Sequence, residues 1–418
     1  MGREMKDSGI EWIGAIPNDW EVMKVKSLFD IGRGRVIAKT ELKDRGYPVY
    51  SSQTKNNGIL GYIDTYDFDK SQLTWTTDGA NAGTVFLREG KHNCTNVCGT
   101  LMPKTDKNNI EYLQFILAHV AFYHKRADIN GFKIMNNEMA EIQISVPLRY
   151  EQDLIVEYLK VRVGEIDNII LKTQASIEEY KKYKQAVITK TITKGINSDV
   201  TMKQSGIEYI GNIPSHWKIR RLRFLGYCQN GISKGGEAFG SGYPFVSYGD
   251  VYKHYSLPET VEGLIESSEL DREIYSVKRG DVFFTRTSET IEEVGYTSTC
   301  LKTIDDAAFA GFVIRFRPYD ESLLLPEFSK YYFRSNIHRR FFVKEMNLVT
   351  RASLSQELLK KLPVLLPPFS EQEQIAKYLD DKVAEIDRII EKKELLITEM
   401  ESYKKSLIYE YVTGKKEV

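Results

Sequence analysis

A motif of thirteen residues occurs twice in the chain. It reads SGIEWIGAIPNDW at Ser8–Trp20 and SGIEYIGNIPSHW at Ser205–Trp217, with nine identical positions and an offset of 197 residues. Agreement of this extent at one offset indicates an internal duplication, which constrains the fold before any single residue is interpreted. We therefore expect two structurally related halves.

A second pair of matching segments lies further along each half. EQDLIVEYLKVRVGEIDNII begins at Glu151 and EQEQIAKYLDDKVAEIDRII at Glu371, and 11 of their 20 positions are identical. The predicted organisation is a repeat motif at 1–20, a first variable domain at 21–150, a central helix at 151–196, a linker with the second repeat motif at 197–217, a second variable domain at 218–368 and a C-terminal helix at 369–418.

Both helical segments carry apolar residues at alternating steps of three and four. Steps that average 3.5 predict the seam of a coiled coil. The seam positions are Val163, Ile166, Ile170, Thr173, Ile177, Tyr180, Lys184 and Val187, then Val383, Ile386, Ile390, Lys393, Ile397, Met400, Lys404 and Leu407. A lysine interrupts both seams at the same step, and it either fixes register and orientation or extends its ammonium group to water. If a pseudo-twofold axis relates the halves, the helices are antiparallel.

The variable segments contain short runs rich in β-forming residues, separated by Gly, Asn and Asp, and each ends in a helical stretch. Each segment is therefore expected to be an α+β module.

The composition, 42% hydrophobic and 28% charged, is that of a globular protein. The most apolar runs, such as LPVLLPPF, are far shorter than the ~20 residues that span a bilayer, so a cytoplasmic protein is expected. Because 58 basic residues balance 58 acidic ones, a polyanion must be bound by a local concentration of positive charge.

Four cysteines in 418 residues do not make a disulfide framework. His92, Cys94 and Cys98 lie close enough in the sequence to suggest a zinc site, but three ligands without a second pair nearby favour buried strand residues instead.

The paired motifs resemble those of the specificity subunits of type I restriction-modification systems, over essentially the whole chain. The resemblance implies an α+β protein with two globular target recognition domains in a pseudo-twofold arrangement, separated by two long antiparallel coiled-coil helices. It also implies recognition of a split double-stranded DNA target, together with two modification (methyltransferase) subunits and restriction subunits as partners.

In such a family this chain catalyses nothing and binds no cofactor, and S-adenosylmethionine, ATP and Mg are expected in the partner subunits. The sequence is consistent with this expectation, because it contains neither an NPPY or DPPY segment nor a glycine-rich phosphate loop followed by Lys-Ser or Lys-Thr.

Sequence-specific recognition requires Arg, Lys, Asn, Gln, Ser or Thr side chains that reach base edges. In the first module the candidate residues are Arg33, Arg35, Gln53, Lys55, Asn56, Asn57, Thr76, Thr77, Asn81, Lys133, Asn136 and Asn137. In the second module they are Ser247, Tyr248, Asp250, Arg286, Thr287, Ser288, Thr350 and Arg351. Phosphate contacts are expected from Lys24, Lys26, Arg33, Arg35 and Lys39, and from Lys218, Arg220, Arg221 and Arg223. Polar loop residues also commonly stabilise turns, which is the alternative interpretation of each of them.

Two other interpretations remain open from the sequence. KYYFRSNIHRRFFVK, at 330–344, is either a stacking surface for single strands or a helix with a buried aromatic face, and the second is favoured. Two functions other than DNA specificity also remain open. One is an enzyme, a nuclease or methyltransferase that uses carboxylates such as Asp64, Asp250 and Asp281. The other is a scaffold that binds protein only.

Overall fold

The computed structural model describes residues 3–129, 131–288, 294–345 and 352–418, with the backbone alone for residues 288, 339, 343–345 and 352. The chain divides into two compact units. Unit 1 comprises Met1–Gln174 and Glu394–Val418, and unit 2 comprises Ala175–Lys393. Each unit contains one variable module and a part of each of two long helices.

The first half of the chain ends in a helix of 46 residues. Its elements, in chain order, are β1 (Met5–Asp7), β2 (Ala15–Pro17), β3 (Glu21–Lys24), α1 (Val25–Leu28), β4 (Phe29–Arg33), β5 (Tyr47–Tyr50), β6 (Ile59–Ile63), β7 (Gln72–Thr76), β8 (Asp78–Gly79), β9 (Val85–Arg88), β10 (Asn93–Cys94), β11 (Cys98–Pro103), α2 (Ile110–His124), β12 (Arg126–Asp128), β13 (Gly131–Lys133), α3 (Asn136–Glu141), β14 (Gln143–Val146) and α4 (Arg149–Lys194).

The second half follows the same plan and ends in a helix of 44 residues. Its elements are β15 (Met202–Gln204), β16 (Asn212–Pro214), β17 (Lys218–Arg221), β18 (Gly226–Asn230), β19 (Phe239–Val246), α5 (Tyr248–Lys253), β20 (Leu264–Ile265), α6 (Glu269–Ile274), β21 (Val282–Thr285), β22 (Thr287–Ser288), β23 (Thr297–Thr299), β24 (Ala308–Phe309), β25 (Val313–Pro318), α7 (Pro326–Arg334), α8 (Ile337–Glu345), β26 (Ala352–Ser353), α9 (Gln356–Lys360), β27 (Pro363–Leu366) and α10 (Phe369–Val412).

The two modules share one sheet topology although their sequences show no plain identity. The central antiparallel sheet has the order β4-β11-β7-β9 in unit 1 and β18-β25-β21-β23 in unit 2. A parallel pair, β10 with β5 and β24 with β19, flanks each sheet, and the pairs β8–β13 and β22–β26 also correspond. The central strands are buried almost throughout, which explains apolar runs such as VFFT in β21. The predicted α+β fold class is confirmed.

The core of each unit includes both long helices. In unit 1, α2 packs its apolar face with residues of the central sheet, of the start of α4 and of the end of α10. The hydroxyl of Tyr112 in α2 donates to the backbone oxygens of Ser145 (3.0 Å) and Val412 (3.1 Å). In unit 2, Tyr331, Tyr332, Phe333 and Phe342 of α7 and α8 are buried in the corresponding core. The favoured buried interpretation of segment 330–344 is therefore correct, although the helix is broken at Ser335.

Within unit 1 the two long helices are antiparallel. Tyr158 of α4 packs on Tyr411 of α10 with ring centroids 4.5 Å apart. Further along α4, Asp167 accepts a hydrogen bond from the ammonium of Lys404 (2.6 Å), which precedes Tyr411 in α10. As the contacts move toward the C-terminus of α4, they therefore move toward the N-terminus of α10.

Unit 2 repeats this arrangement with the helices exchanged. Lys184 of α4 donates to Asp387 of α10 (2.6 Å), and the ammonium of Lys393 lies 5.6 Å from the ring centroid of Tyr180. Lys184 corresponds to Lys404, since both lie at the same step of the repeated helix. Lys184 and Lys404 thus each pair with an aspartate of the opposite helix, which favours a role in register over a lysine that merely reaches water.

The repeated motif forms a joint between each module and its long helix. The indole nitrogen of Trp20 donates to Glu151 in the first turn of α4 (3.0 Å), and that of Trp217 donates to Glu371 in the first turn of α10 (3.0 Å). Both indoles are buried. The motif therefore occurs twice because the same hydrogen bond attaches each module to a long helix.

The glutamine that follows each of these glutamates completes the joint. Gln152 accepts from the backbone nitrogen of Asn109, the N-cap of α2 (2.7 Å), and Gln372 accepts from that of Leu325, the N-cap of α7 (2.9 Å). Both side chains are buried. The long helices begin at Arg149 and Phe369, against predicted starts at 151 and 369. The predicted limits of the variable domains stay predictions.

Candidate nucleic-acid interface

Loops of the first module meet at one end of its central sheet. β4 ends and β11 begins there, because Arg33 pairs with Gly99 in the ladder, and β7 ends opposite Cys98. The loop after β7 joins this end through a hydrogen bond from the backbone nitrogen of Thr77 to Val97 (3.2 Å). The structure therefore brings together three predicted groups, around residues 33–35, 76–81 and 133–137.

Two further hydrogen bonds hold these groups in place. The amide of Asn136 donates to the backbone oxygen of Gly32 (3.0 Å), and the backbone nitrogen of Ile134 donates to Thr77 (2.9 Å). The guanidinium of Arg33 lies 3.5 Å from the sulfur of Met135. Arg33, Asn81 and Asn137 are exposed on the resulting surface.

The loop of residues 53–57 is held by a buried arginine that sequence reasoning missed. The guanidinium of Arg88 donates to the backbone oxygen of Asn57 (2.8 Å) and the hydroxyl of Thr74 (3.0 Å), and it stacks 3.6 Å from the ring centroid of Tyr50. Burial lowers the pKa of Arg88. A buried arginine resembles an exposed one in the sequence, so only the fold reveals this role.

The tip of that loop presents unpaired polar groups. Lys55, Asn56 and Asn57 are exposed, and both asparagines have positive φ (50° and 51°), a conformation that asparagine tolerates better than most residues. The tip is thus ordered by its backbone and leaves its side-chain amides available, as a surface that reads base edges requires.

Other predicted residues of the first module have intramolecular partners. Thr76 and Thr77 are buried, Gln53 donates to the backbone oxygen of Ile59, Lys133 pairs with Asp128 (3.0 Å), and Arg35 pairs with Asp67 (2.9 Å). They support the loops rather than present free groups. Their assignment to DNA contact stays a prediction.

The second module gathers its loops at the equivalent end. Asn230 at the end of β18 pairs with Ile314, and the backbone nitrogen of Arg286, which follows β21, donates to Phe312 (2.9 Å). The backbone nitrogen of Leu354, after β26, donates to Arg286 (2.8 Å). The side chain of Arg286 contacts the backbone oxygen of Gly311 at 3.4 Å.

Two of the predicted residues in this module cap a helix. Asp250 accepts from the backbone nitrogen (2.8 Å) and hydroxyl (2.7 Å) of Ser247, which is the N-cap of α5, so these groups satisfy each other. Tyr248 stacks on Tyr252 with an interplanar angle of 15°. Thr287 lies in β22. The side chain of Ser288, and Thr350 and Arg351 altogether, lie outside the described residues.

An exposed aromatic residue beside Arg286 escaped the sequence reasoning. Phe312 is 66% exposed although it lies between buried strands β24 and β25. The hairpin tip in the first module is similar, since Ile129 is 98% exposed. An apolar residue in a glycine-containing turn between two strands can be recognised in the sequence as a candidate for exposure, because the turn interrupts the buried strand.

The geometry favours neither the zinc site nor the catalytic carboxylates that the sequence left open. The imidazole of His92 contacts Gln72 (2.8 Å) and the backbone oxygen of Gly90 (2.7 Å), while Cys94 and Cys98 are buried free thiols. Burial raises the pKa of Cys98 to about 11. No group of three or more His, Cys, Asp or Glu residues in the described part of the chain is arranged to hold a metal ion.

The carboxylates considered for catalysis have structural partners. Asp64 pairs with Lys43, and Asp250 belongs to the helix cap of α5. Asp281 is buried and accepts two hydrogen bonds of 2.6 Å from the guanidinium of Arg317. Among the described helices, none combines the length and apolar character needed to cross a membrane.

Comparison with known proteins agrees with this architecture. The profile of the type I restriction modification DNA specificity domain matches residues 17–179 and 214–399. The type I restriction enzyme MpnII specificity subunit from Mycoplasma pneumoniae is 37% identical over 167 residues, which are 39% of this chain and 50% of that subunit. The putative type I restriction enzyme MjaX specificity subunit from Methanocaldococcus jannaschii is 25% identical over 438 residues, covering 96% of this chain and 95% of that protein.

A solved structure shares the fold over nearly the full length. It concerns complex assembly and conformational transition of a type I R-M system, and one of its chains superimposes with a TM-score of 0.71 at 13% identity, covering 96% of this chain and 99% of that one. The aligned segment of the MpnII subunit is half of that protein, whereas the profile matches cover most of this chain in two copies. The chain therefore belongs to the family of type I restriction-modification specificity subunits.

Proposed function

We propose that this chain selects the DNA target of a type I restriction-modification complex. Each module reads one half of a split double-stranded sequence, and the two long helices set the unread distance between the halves. Modification subunits bound to the chain methylate the target, and restriction subunits, where present, translocate and cleave. S-adenosylmethionine, ATP and Mg belong to those partners.

The observation that carries this proposal is that two modules of equal topology present unlike loops. Where the first module follows β5 with an exposed turn that carries Lys55, Asn56 and Asn57, the second follows the equivalent strand β19 with the helix α5. A single frame with different loop chemistry suits the recognition of two different short sequences, because the frame fixes position and the loops specify bases.

The repeated joint supports the proposed scaffolding role. Trp20 with Glu151 and Trp217 with Glu371 hold each module against the start of a long helix by the same buried hydrogen bond, so each half is built on a like joint of module and helix. A repeated joint suits two copies of one partner. The engagement of Asp281 with Arg317 and of Asp250 with Ser247 supports a chain that leaves the chemistry to its partners.

The test is the methylated motif. The chain is expressed with its modification subunit in a host without adenine methylation, and methylated adenines are located by sequencing. We expect a split motif. A variant with Lys55→Ala, Asn56→Gly and Asn57→Gly removes the exposed groups while glycine keeps the positive φ, so one half of the motif should relax and the other should remain.

Lys107→Ala is the matched control, because Lys107 is also exposed but follows the opposite end of β11. It should leave both halves unchanged. A continuous motif, or changes in both halves, would contradict the proposal. Methyl transfer or cleavage by the purified chain alone, with S-adenosylmethionine, magnesium and DNA, would support an enzyme instead. Failure to shift any duplex with the modification subunit present would support a scaffold that binds protein only.

A further inference from the structure

The strand that follows each repeat motif differs in charge between the two modules. β3 pairs with β14 and β17 pairs with β27 in the same register, which makes Lys24 equivalent to Arg221 and Glu21 equivalent to Lys218. Five equivalent positions on and beside these strands are Glu21, Met23, Lys24, Lys26 and Glu141 in the first module, and Lys218, Arg220, Arg221, Arg223 and Lys361 in the second. They carry no net charge in the first module and five positive charges in the second.

In the first module one carboxylate pairs with both lysines. Glu141 accepts hydrogen bonds from the ammonium groups of Lys24 (2.6 Å) and Lys26 (2.5 Å). The hydrogen bond from Lys24, followed by that from Lys26, lowers the pKa of Glu141 to about 2. These lysines are therefore occupied within the protein, although the sequence marked them as phosphate ligands.

In the second module a lysine replaces that carboxylate. Lys361 is the equivalent of Glu141. The backbone nitrogen of the residue after β17, Leu222, donates to the backbone oxygen of Leu362 (2.9 Å), which follows Lys361. The residue after β3 donates in the same way to the residue that follows Glu141. All five cations are exposed, and none forms an ion pair with a carboxylate in the described part of the chain. The nearby Glu357 pairs with Lys360 (2.8 Å), which lowers the pKa of Glu357, and the charges of Arg223 and Lys361 lower it further without forming an ion pair.

Four of these side chains line a continuous depression in unit 2, here called the cationic groove, and the guanidinium of the fifth, Arg223, lies beside it, 5.6 Å from the ring centroid of Phe224. Three adjoining cavities of about 760, 630 and 500 Å³ share Arg220, and Lys218, Arg221 and Lys361 line at least one of them. Phe224, 60% exposed, forms part of the wall. An exposed aromatic ring among unpaired cations is typical of a surface that binds nucleic acid.

The cationic groove lies away from the loops that read bases. Phe224 precedes β18, whereas the loops meet at the other end of that strand, at Asn230. Five residues of strand span about 17 Å. Phosphates of one DNA strand follow each other at ~3.4 Å along the helix axis, so the separation corresponds to about five base pairs.

We propose that the cationic groove binds the phosphodiester backbone of the DNA outside the base pairs that the second module reads, and that the first module has no such site. The inference rests on the proposed function and deepens it. An acidic partner protein is the other occupant of suitable charge. However, two copies of one partner would require the same charge on both modules, and the two modules differ. A ligand held by one module only is better matched by the single DNA duplex of the complex.

The test is the salt dependence of binding to a random-sequence duplex of 40 base pairs, with the full chain and its modification subunit. Lys361→Glu restores the carboxylate of the first module and should occupy Arg221 and Arg223, so about three phosphate contacts are lost. Each contact contributes about 0.9 to the slope of log K against log salt, so the slope should fall by about 2.7. Between 50 and 200 mM salt, the wild-type affinity should then drop about 40-fold more than that of the variant.

The matched control is Lys24→Gln with Lys26→Gln, which removes two cations that Glu141 already holds in ion pairs and should leave the slope unchanged. The reverse substitution, Glu141→Lys, should increase the slope. An unchanged slope in Lys361→Glu, with wild-type circular dichroism, would overturn the proposal. So would a loss of modification-subunit binding at unchanged slope, which would assign the groove to a protein. If the wild-type complex binds no duplex, the proposed function fails as well, whereas a split methylated motif with an insensitive slope rejects the groove alone.

Discussion

Replacing Trp217 by phenylalanine should loosen the joint of unit 2 by about 2.5 kcal/mol. The substitution removes a hydrogen bond to Glu371 (3.0 Å), and hydrogen bonds to charged groups contribute about 1.5–3 kcal/mol. We take about 1.5 kcal/mol, because the side chain of Glu371 is 21% exposed and keeps His216 as a partner at 2.8 Å. The space left by the pyrrole ring in a fully buried site adds about 1 kcal/mol.

Hydrogen exchange measured by mass spectrometry resolves this loss by position. The amides of β17 and β27, which flank the joint, should exchange about 60-fold faster in Trp217→Phe, since each 1.4 kcal/mol corresponds to a factor of ten. Peptides from unit 1 should be unaffected. Glu371→Gln keeps an acceptor without the charge or a cavity, and should cost about 1 kcal/mol in the same peptides.

Trp20→Phe is the matched substitution and should weaken protection in β3 and β14 instead. The indole of Trp20 donates to Glu151 at the same distance, 3.0 Å. Equal loss of protection in both units from either substitution, or a change below about 0.5 kcal/mol in β17 and β27, would refute the idea that this hydrogen bond attaches each module to its helix.

Three further outcomes follow from the structure. Lys184→Glu should destabilise the helix pair of unit 2 by about 1 kcal/mol because it faces Asp387, and adding Asp387→Lys should restore most of the loss; a double-mutant cycle by chemical denaturation checks the coupling. Burial lowers the pKa of His338 to about 4, so its neutral form stabilises the fold fully above pH 6.5, and on the order of 3 kcal/mol is lost as the pH falls to 4; melting curves of His338→Gln should lack this dependence. Seven residues inserted into both long helices add about 10 Å, so the unread gap of the methylated motif should grow by about three base pairs with unchanged half-sites.

The repeats, the helix periodicity and the β-forming runs of the variable segments were sufficient to predict the α+β class, the two modules and the coiled coil. These features are local or periodic in the chain: an identical motif at a fixed offset requires a duplicated structure, and a spacing of 3.5 requires a helical seam. The same spacing drew attention to Lys184 and Lys404, whose partners Asp387 and Asp167 the sequence did not identify.

Residues that present DNA-binding chemistry could not be separated from residues that support loops by sequence alone. Thr77 and Asp250 have the polar character of base readers, yet one is buried and the other caps a helix. Arg88 looks like a surface cation but holds a loop from within the core. Whether a polar group is free depends on what lies across the fold from it, often at large sequence separation.

The sequence by itself therefore determined the duplication, the fold class and the family, because each follows from patterns that repeat along the chain. Only the tertiary structure decided which charges are neutralised. Lys24 and Arg221 occupy equivalent strand positions and carry the same charge, but a residue over a hundred positions away is Glu141 in one case and Lys361 in the other. Electrostatic fields depend on distance in space, so this difference has no local signature in the chain.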